Sequence, residues 1–481
     1  MLRIAMSSAK NNNLKSDHKV LLMIATDFPP LAGTNTQRIQ SFAKYLDGFG
    51  WQAQVLTHEV EDLYLIDSKE LDEIPERVLV HRVASPDLFK RLRRMRGIWP
   101  DDLAKKRAKV APSSSNAQSM VSPSAGLTTK LKNLVSWAVL KPLSAYFKRF
   151  VYIPDAERLW ADAAYQRARQ LVEAGQVTAV MTSCPAYSTH VAGLELKRST
   201  GVFWVAEFRD LWVGRPGRVV KNVRQARLDA ELEAAVVAEC DHMIVASPAW
   251  VDNFAARYGE EIRAKITCIT NGYDSAKMPE PAAPSQDNGI LIVNTGAMYG
   301  SESPAPFLTA LGQIYQETPG LLGGVRVELA GSAGDEKVRL DAIINAAGME
   351  AIVSFLGVMP HRECLLAQQR ADFLLLCNGQ EHAETIRGRS FEYMASGKPI
   401  LALTPKHGEQ AKLLKKAGSS LLVDYGCVEA TKEAMLKLLT AVRDGDDVGL
   451  KPNWDYIRQF DRMNLTKRLV EVIEINLNRY G

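Results

Sequence analysis

The chain has 481 residues, 46% hydrophobic and 24% charged, with a net charge of +4. That length exceeds what one hydrophobic core organises, so two or three domains are expected and a small binding module is excluded. The composition excludes a disordered, collagen-like or disulfide-stapled chain, and the small net charge puts any anionic partner on a local patch.

In chain order, residues 1–17 are polar and predict a disordered tail. This stretch has no apolar core and no small-residue cleavage site, so it does not read as a secretory signal, and a cytoplasmic location is expected. Residues 20–25 read as a buried strand, followed by a turn-rich loop from Asp27 to Thr34 and a helical pattern over 36–49. Apolar runs at 51–57, 78–83, 179–183, 202–208 and 243–246 alternate with helical patterns, which predicts a parallel α/β sheet.

The Pro-rich stretch near residue 280 reads as a linker, and the same alternation then restarts. Strands are expected at 289–295, 325–330, 353–356, 371–377, 399–403 and 420–423, with helices at 304–315, 338–347 and around 391–395. The last pattern, 454–476, reads as one long amphipathic helix. No stretch reaches the roughly 20 apolar residues needed to span a bilayer. Six scattered cysteines, Cys184, Cys240, Cys268, Cys364, Cys377 and Cys427, lack zinc-ligand spacing and read as buried, reduced thiols.

One segment breaks the first alternation. Nine basic residues against two acidic ones lie between Lys90 and Lys109, followed by a Ser-rich stretch over 112–129 and apolar residues at helical spacing over 131–150. The pattern suits docking on an anionic membrane surface, and equally a solvated linker and a helix covering the first domain. The basic run lacks interleaved aromatics, which disfavours nucleic acid.

Chemistry in an open α/β sheet belongs to loops at the carboxyl ends of strands. The first such loop holds Gly33, which lets backbone approach a ligand, and Arg38. It is not a GxGxxG fingerprint, so a dinucleotide oxidoreductase is disfavoured. His190 follows a second strand and suits either a hydroxyl contact or a plain packing role. Arg209 and Asp210 end a third strand, as ligand groups or as a structural ion pair. The densest signal runs from Glu384 through Arg387, Gly388 and Arg389 to Glu392 and Gly397. A carboxylate can accept from both hydroxyls of a diol, and arginines at a helix start suit a diphosphate. Two glutamates eight apart are also ordinary surface charge.

The order Asp27-Phe28-Pro29-Pro30, Arg209-Asp210-Leu211-Trp212, Ile269-Thr270-Asn271-Gly272-Tyr273-Asp274, Glu384, Glu392 resembles the family 4-like retaining glycosyltransferases of the GT-B fold, across residues 18–476. The resemblance implies two Rossmann-like, doubly wound α/β domains facing across a cleft. These are an acceptor domain over 18–278 with the insertion at about 86–150, a linker over 279–288, and a nucleotide-sugar domain over 289–453. A carboxyl-terminal helix over 454–481 crosses back to the first domain.

The resemblance further implies a metal-independent hexosyltransferase without cofactor, a nucleotide-sugar donor and a glycan or polyprenyl-linked acceptor in surface polysaccharide synthesis. Glu392 would bind the ribose hydroxyls, Glu384 the transferred sugar, and Gly33 and Gly296 would lie near the donor phosphates. His190 would face the donor sugar, Arg389 and then Arg387 would contact the diphosphate, and Arg38, Arg209 and Asp210 are candidates on the acceptor side. The chain departs from the family pattern in Ala32-Gly33, where many members have a glycine pair, and in lacking an Arg and Lys pair over 301–311. A nucleotide-sugar epimerase and a non-catalytic scaffold of a polysaccharide-assembly complex are the competing expectations.

Overall fold

The computed structural model describes residues 19–31, 36–60, 69–87, 150–220, 222–280, 289–298, 300–444, 446 and 448–480. The expected tail, nearly all of the basic and Ser-rich insertion, Gly33 and most of the linker lie outside these.

The first sheet has seven strands: β1 (Lys19–Ile24), β2 (Trp51–His58), β3 (Leu79–Val83), β4 (Ala179–Cys184), β5 (Phe203–Phe208), β6 (His242–Val245) and β7 (Ile266–Cys268). Their spatial order is β3-β2-β1-β4-β5-β6-β7, and every pairing is parallel. The second sheet holds β8 (Ile290–Thr295), β9 (Val325–Ala330), β10 (Val353–Gly357), β11 (Phe373–Cys377), β12 (Ile400–Leu403) and β13 (Ser420–Val423), in the order β10-β9-β8-β11-β12-β13. In each sheet the order reverses beside the first strand, which is the doubly wound topology with its crevice at that switch point.

Alternation along the strands explains why both faces are covered. Leu22 and Ile24 of β1 enter one core with Trp160, Trp204 and Phe208, while Leu21 and Met23 enter another with Phe42 and Trp51. The second sheet repeats this, with Ile292 on one side and Leu291 and Val293 on the other. Strands buried on both faces read as continuous apolar runs, which is why the sequence marks them so plainly. The three-residue β7 went unpredicted because it is too short to show a period.

The carboxyl-terminal pattern differs from the single helix expected. It divides into Trp454–Arg458 and Arg462–Tyr480, and the break is where the chain leaves the second sheet for the first. Phe460 O accepts from Tyr273 N at 3.1 Å and Tyr273 O accepts from Arg462 N at 2.8 Å, so the two crossings between sheets run side by side. Gly272 permits that approach, since a β-carbon there would meet the Phe460 carbonyl. Beyond the break, Leu465, Leu469, Val470 and Ile473 complete the core beneath Leu21 and Met23.

All six cysteines are free; Cys184, Cys240 and Cys377 are buried, whereas Cys427 is exposed, contrary to the sequence expectation. Among the described residues no helix is long and apolar enough to cross a membrane.

Candidate functional site

The carboxyl ends of the two sheets face each other. The Ser247 hydroxyl, just past β6, donates to the backbone carbonyl of Glu384, which follows β11 in the other half. Asp210, just past β5, is reached by the charges of Arg387 and His382 from the second half. Burial raises the Asp210 carboxyl above its ordinary value, against Arg215, Arg209, Arg387 and His382, which pull it down. Its direct partner is Arg215, at 3.2 Å.

On the second-sheet wall, Thr295 at the end of β8 is a meeting point. Its carbonyl accepts from Arg389 Nη1 at 2.7 Å, its N–H donates to the Tyr393 hydroxyl at 2.7 Å, and its hydroxyl accepts from Gln368 Nε2 at 3.2 Å. Gln368 also reaches Glu392 Oε2 at 3.4 Å, while His361 Nε2 lies 2.8 Å from Glu392 Oε1. Burial would raise the Glu392 carboxyl, but the His361 hydrogen bond and charge, with Arg462 and Gln368, outweigh it and hold the group below its usual value. Glu392 is therefore a carboxylate on the helix Arg389–Ser396, with two of its acceptor positions engaged.

Gly296 follows with φ at 109°. A β-carbon there would strike the Arg389 guanidinium, so glycine is what lets this arginine lie against the loop. Arg389 donates also to Ala297 O at 3.2 Å, and Arg387 Nε donates to Asn378 Oδ1 at 3.0 Å. Both guanidinium groups meet Glu302, at 2.9 Å from Arg387 and 2.7 Å from Arg389. The structure thus brings Glu384, Arg387, Arg389, Glu392, Gly296 and, across the cleft, Asp210 to one region. Glu384 presents an exposed side chain there.

Three of the expected site residues turn inward. Arg38 pairs with buried Glu207 at 2.6 Å and donates to the carbonyls of Ile269 and Thr270, because a buried guanidinium needs all its donors met. Arg209 is turned inward likewise, onto Asp27 at 3.2 Å and the Cys184 and Pro185 carbonyls, which is the ion-pair alternative with Asp27 rather than Asp210 as partner. His190 is fully buried, its Nδ1 2.7 Å from Thr182 Oγ1 and its ring 4.5 Å from that of Phe208. Burial, aided by the Arg209 charge, lowers its pKa to about 3, so the imidazole is neutral and lies beneath the cleft wall.

Sequence reasoning missed Glu302, His361, Gln368 and Arg462. None sits in a motif, and their partners lie from 24 positions away, for Gln368 and Glu392, to 425, for Arg462 and Gln37. Arg462 is half-buried, donating to Gln37 O at 2.9 Å and Gln37 Oε1 at 2.7 Å, and so joins the crossing to the helix that opens just after the first loop.

No protein-family model matches the chain, and no curated protein sequence matches it. Solved structures do. A glycosyltransferase from Rickettsia africae aligns at 12% identity with a TM-score of 0.60, covering 96% of this chain and 99% of that one. HepE of Anabaena in complex with UDP aligns at 16% identity and 0.59, covering 95% and 99%. The sucrose-phosphate synthase of Thermosynechococcus elongatus aligns at 13% and 0.61, covering 95% and 98%. The chain has the GT-B fold. In GT-B terms, the site just described occupies the cleft between the two Rossmann-like halves, with the paired glutamates on the carboxyl-terminal wall.

Proposed function

We propose that the protein is a glycosyltransferase that moves a sugar from a nucleoside-diphosphate sugar to a glycan or lipid-linked acceptor, with retention, in the assembly of a surface polysaccharide. The observation that carries this reading is the placement of Glu384, Arg387, Arg389 and Glu392 on one loop and helix start after β11, at the carboxyl end of the second sheet. The structures of HepE with UDP, and with UDP-glucose, support a nucleotide sugar as donor.

In this reading Glu392 accepts from the ribose hydroxyls, and Glu384 contacts the sugar from the cleft floor. The acceptor hydroxyl oxygen forms a bond to the anomeric carbon as the bond from that carbon to the diphosphate oxygen breaks. The bonding pair leaves with the diphosphate, which takes the acceptor's proton. The demanding part is the charge on the departing diphosphate, and losing one preorganised donor in such a site costs about 10²- to 10³-fold in rate. Neutral, buried His190 stands behind the wall in this scheme as a support for β4.

The test is thermal shift of the purified protein with UDP, GDP, ADP, CMP, dTDP and their sugars, with and without EDTA. Stabilisation by one nucleotide family, lost in Glu392→Gln, is expected. A shift that survives Glu392→Gln overturns the site, and no shift with any nucleotide favours a scaffold role.

A peripheral membrane location is part of the proposal, and one specific observation favours it. The loop after Arg215 exposes Val219 (81%) and Val220 (41%), Val223 (86%) opens the next helix, and the Arg224 guanidinium lies 5.0 Å from the ring centre of half-exposed Phe150 (39%). Apolar side chains among arginines, linked through Phe150 to the end of the basic insertion, suit an anionic lipid surface.

A further inference from the structure

Between the two arginines expected to meet the donor's phosphates stands an anion supplied by the chain itself. Glu302 ends the short turn Gly300–Glu302 after β8, and it places Oε1 2.9 Å from Arg387 Nη1 and Oε2 2.7 Å from Arg389 Nη2. One oxygen on each guanidinium is the arrangement a bridging phosphate would adopt. The arginines are anchored from elsewhere: Arg389 by the carbonyls of Thr295, Ala297 and Cys377, and Arg387 by Asn378. Glu302 is not so anchored, since among the described residues its carboxylate has these two arginines as its partners. All three side chains keep a little solvent contact, at 17%, 18% and 9% for Glu302, Arg387 and Arg389, so the group that can move without dismantling the wall is the glutamate.

We propose that Glu302 is a charge gate that sets the donor's phosphate number: it occupies the place of the diphosphate until a ligand with two phosphates displaces it. The inference rests on the donor-site reading above. A nucleoside-monophosphate sugar carries one negative charge at its phosphodiester. Exchanging it for Glu302 replaces one anion by one anion, so little is gained. A nucleoside-diphosphate sugar brings two charges to the same two cations and leaves the displaced carboxylate to rehydrate. Glu302 thereby lowers affinity for all anions by a common factor, so that singly charged ligands fall below useful occupancy while doubly charged ones stay above it. The same carboxylate keeps Arg387 and Arg389 from repelling each other when no ligand is bound.

The probe is inorganic pyrophosphate against inorganic phosphate, titrated calorimetrically into the full chain as wild type, Glu302→Gln, and Glu302→Gln with Arg387→Gln. Glu302→Gln is expected to bind pyrophosphate about tenfold more tightly than wild type. Phosphate should gain by a similar factor, and adding Arg387→Gln should abolish both gains. Unchanged or weaker binding of both anions by Glu302→Gln would make Glu302 a strut and overturn the gate. Should Glu302→Gln fail to fold, Glu302→Asp, whose shorter side chain cannot span both arginines, is expected to show a smaller gain of the same sign, and no gain there is equally fatal. Pyrophosphate has no ribose, so these results are independent of Glu392. A gain in pyrophosphate affinity beside a failed nucleotide screen sinks the donor reading and leaves Glu302 gating anions in general, whereas the reverse pattern sinks the gate alone.

Discussion

His361 Nε2 and Glu392 Oε1 lie 2.8 Å apart, so the carboxylate expected to hold a ribose is already oriented by the helix His361–Arg370. A ligand diol at Glu392 meets a group whose direction is fixed before it arrives, which lowers the ordering cost of binding.

That contact has a pH signature. The Glu392 carboxyl is held below its ordinary value, so the stability it adds is present above the usual carboxylate range and is lost as pH falls through its folded value. Glu392→Gln is therefore expected to melt below wild type at pH 7, with the gap closing under about pH 4. Thermal melts at both pH values check this, and a gap that persists in acid would mean that packing, not charge, is responsible.

Gly296→Ala is expected to cost about 1–3 kcal/mol through its φ of 109° and to push Arg389 off the Thr295 and Ala297 carbonyls. Denaturant unfolding gives the stability, and the pyrophosphate titration gives the displacement of the arginine. Wild-type behaviour in both would show that the loop relaxes freely.

His190 is expected to stay neutral from pH 8 down to about 5, because burial has lowered its pKa to about 3. Its lowered value means that stability is full above the ordinary histidine range, near 6.5, and falls progressively as pH drops from there toward the folded value. Ring-proton NMR across pH 4–8 reads this directly. A titration near neutrality would expose His190 to the cleft and restore the expected contact with the donor sugar.

Arg38→Ala removes one partner of a pair whose other member, Glu207, is fully buried. Leaving that charge uncompensated costs about 3–5 kcal/mol. Arg38→Lys recovers little, since a single ammonium cannot reach Glu207 and the carbonyls of Ile269 and Thr270 together. Denaturant unfolding of the two variants checks the order, and a mild effect from Arg38→Ala would return this arginine to the acceptor side.

Val219→Asp combined with Val223→Asp is expected to lower recovery with anionic vesicles at least about tenfold in flotation at low salt, with no change in melting temperature. Equal recovery of wild type on neutral and anionic vesicles would remove the electrostatic docking surface.

The strands were legible because a sheet covered on both faces writes itself as apolar runs, and the eleven long separations between such runs left room only for helices and loops. Glu384, Arg387, Arg389 and Glu392 were legible because they share one loop and helix start. What escaped was set by contacts remote in sequence. Glu302 reads as one more acidic residue until Arg387, 85 positions on, is folded against it, and Arg38 reads as a loop cation until Glu207, 169 positions on, takes it inward. The division of the last helix escaped for the same reason, since the pull on Phe460 and Arg462 comes from Tyr273.

The two crossings between the halves lie alongside one another and are laced by the bonds of Tyr273 to Phe460 and Arg462. A pair of chains joined edge to edge is a flat ribbon, pliable across its broad face and stiff against torsion. A hinge at this ribbon would let Asp210 and Arg387, on opposite lips, part and return to register, with the Ser247 hydroxyl meeting the Glu384 carbonyl at each closure.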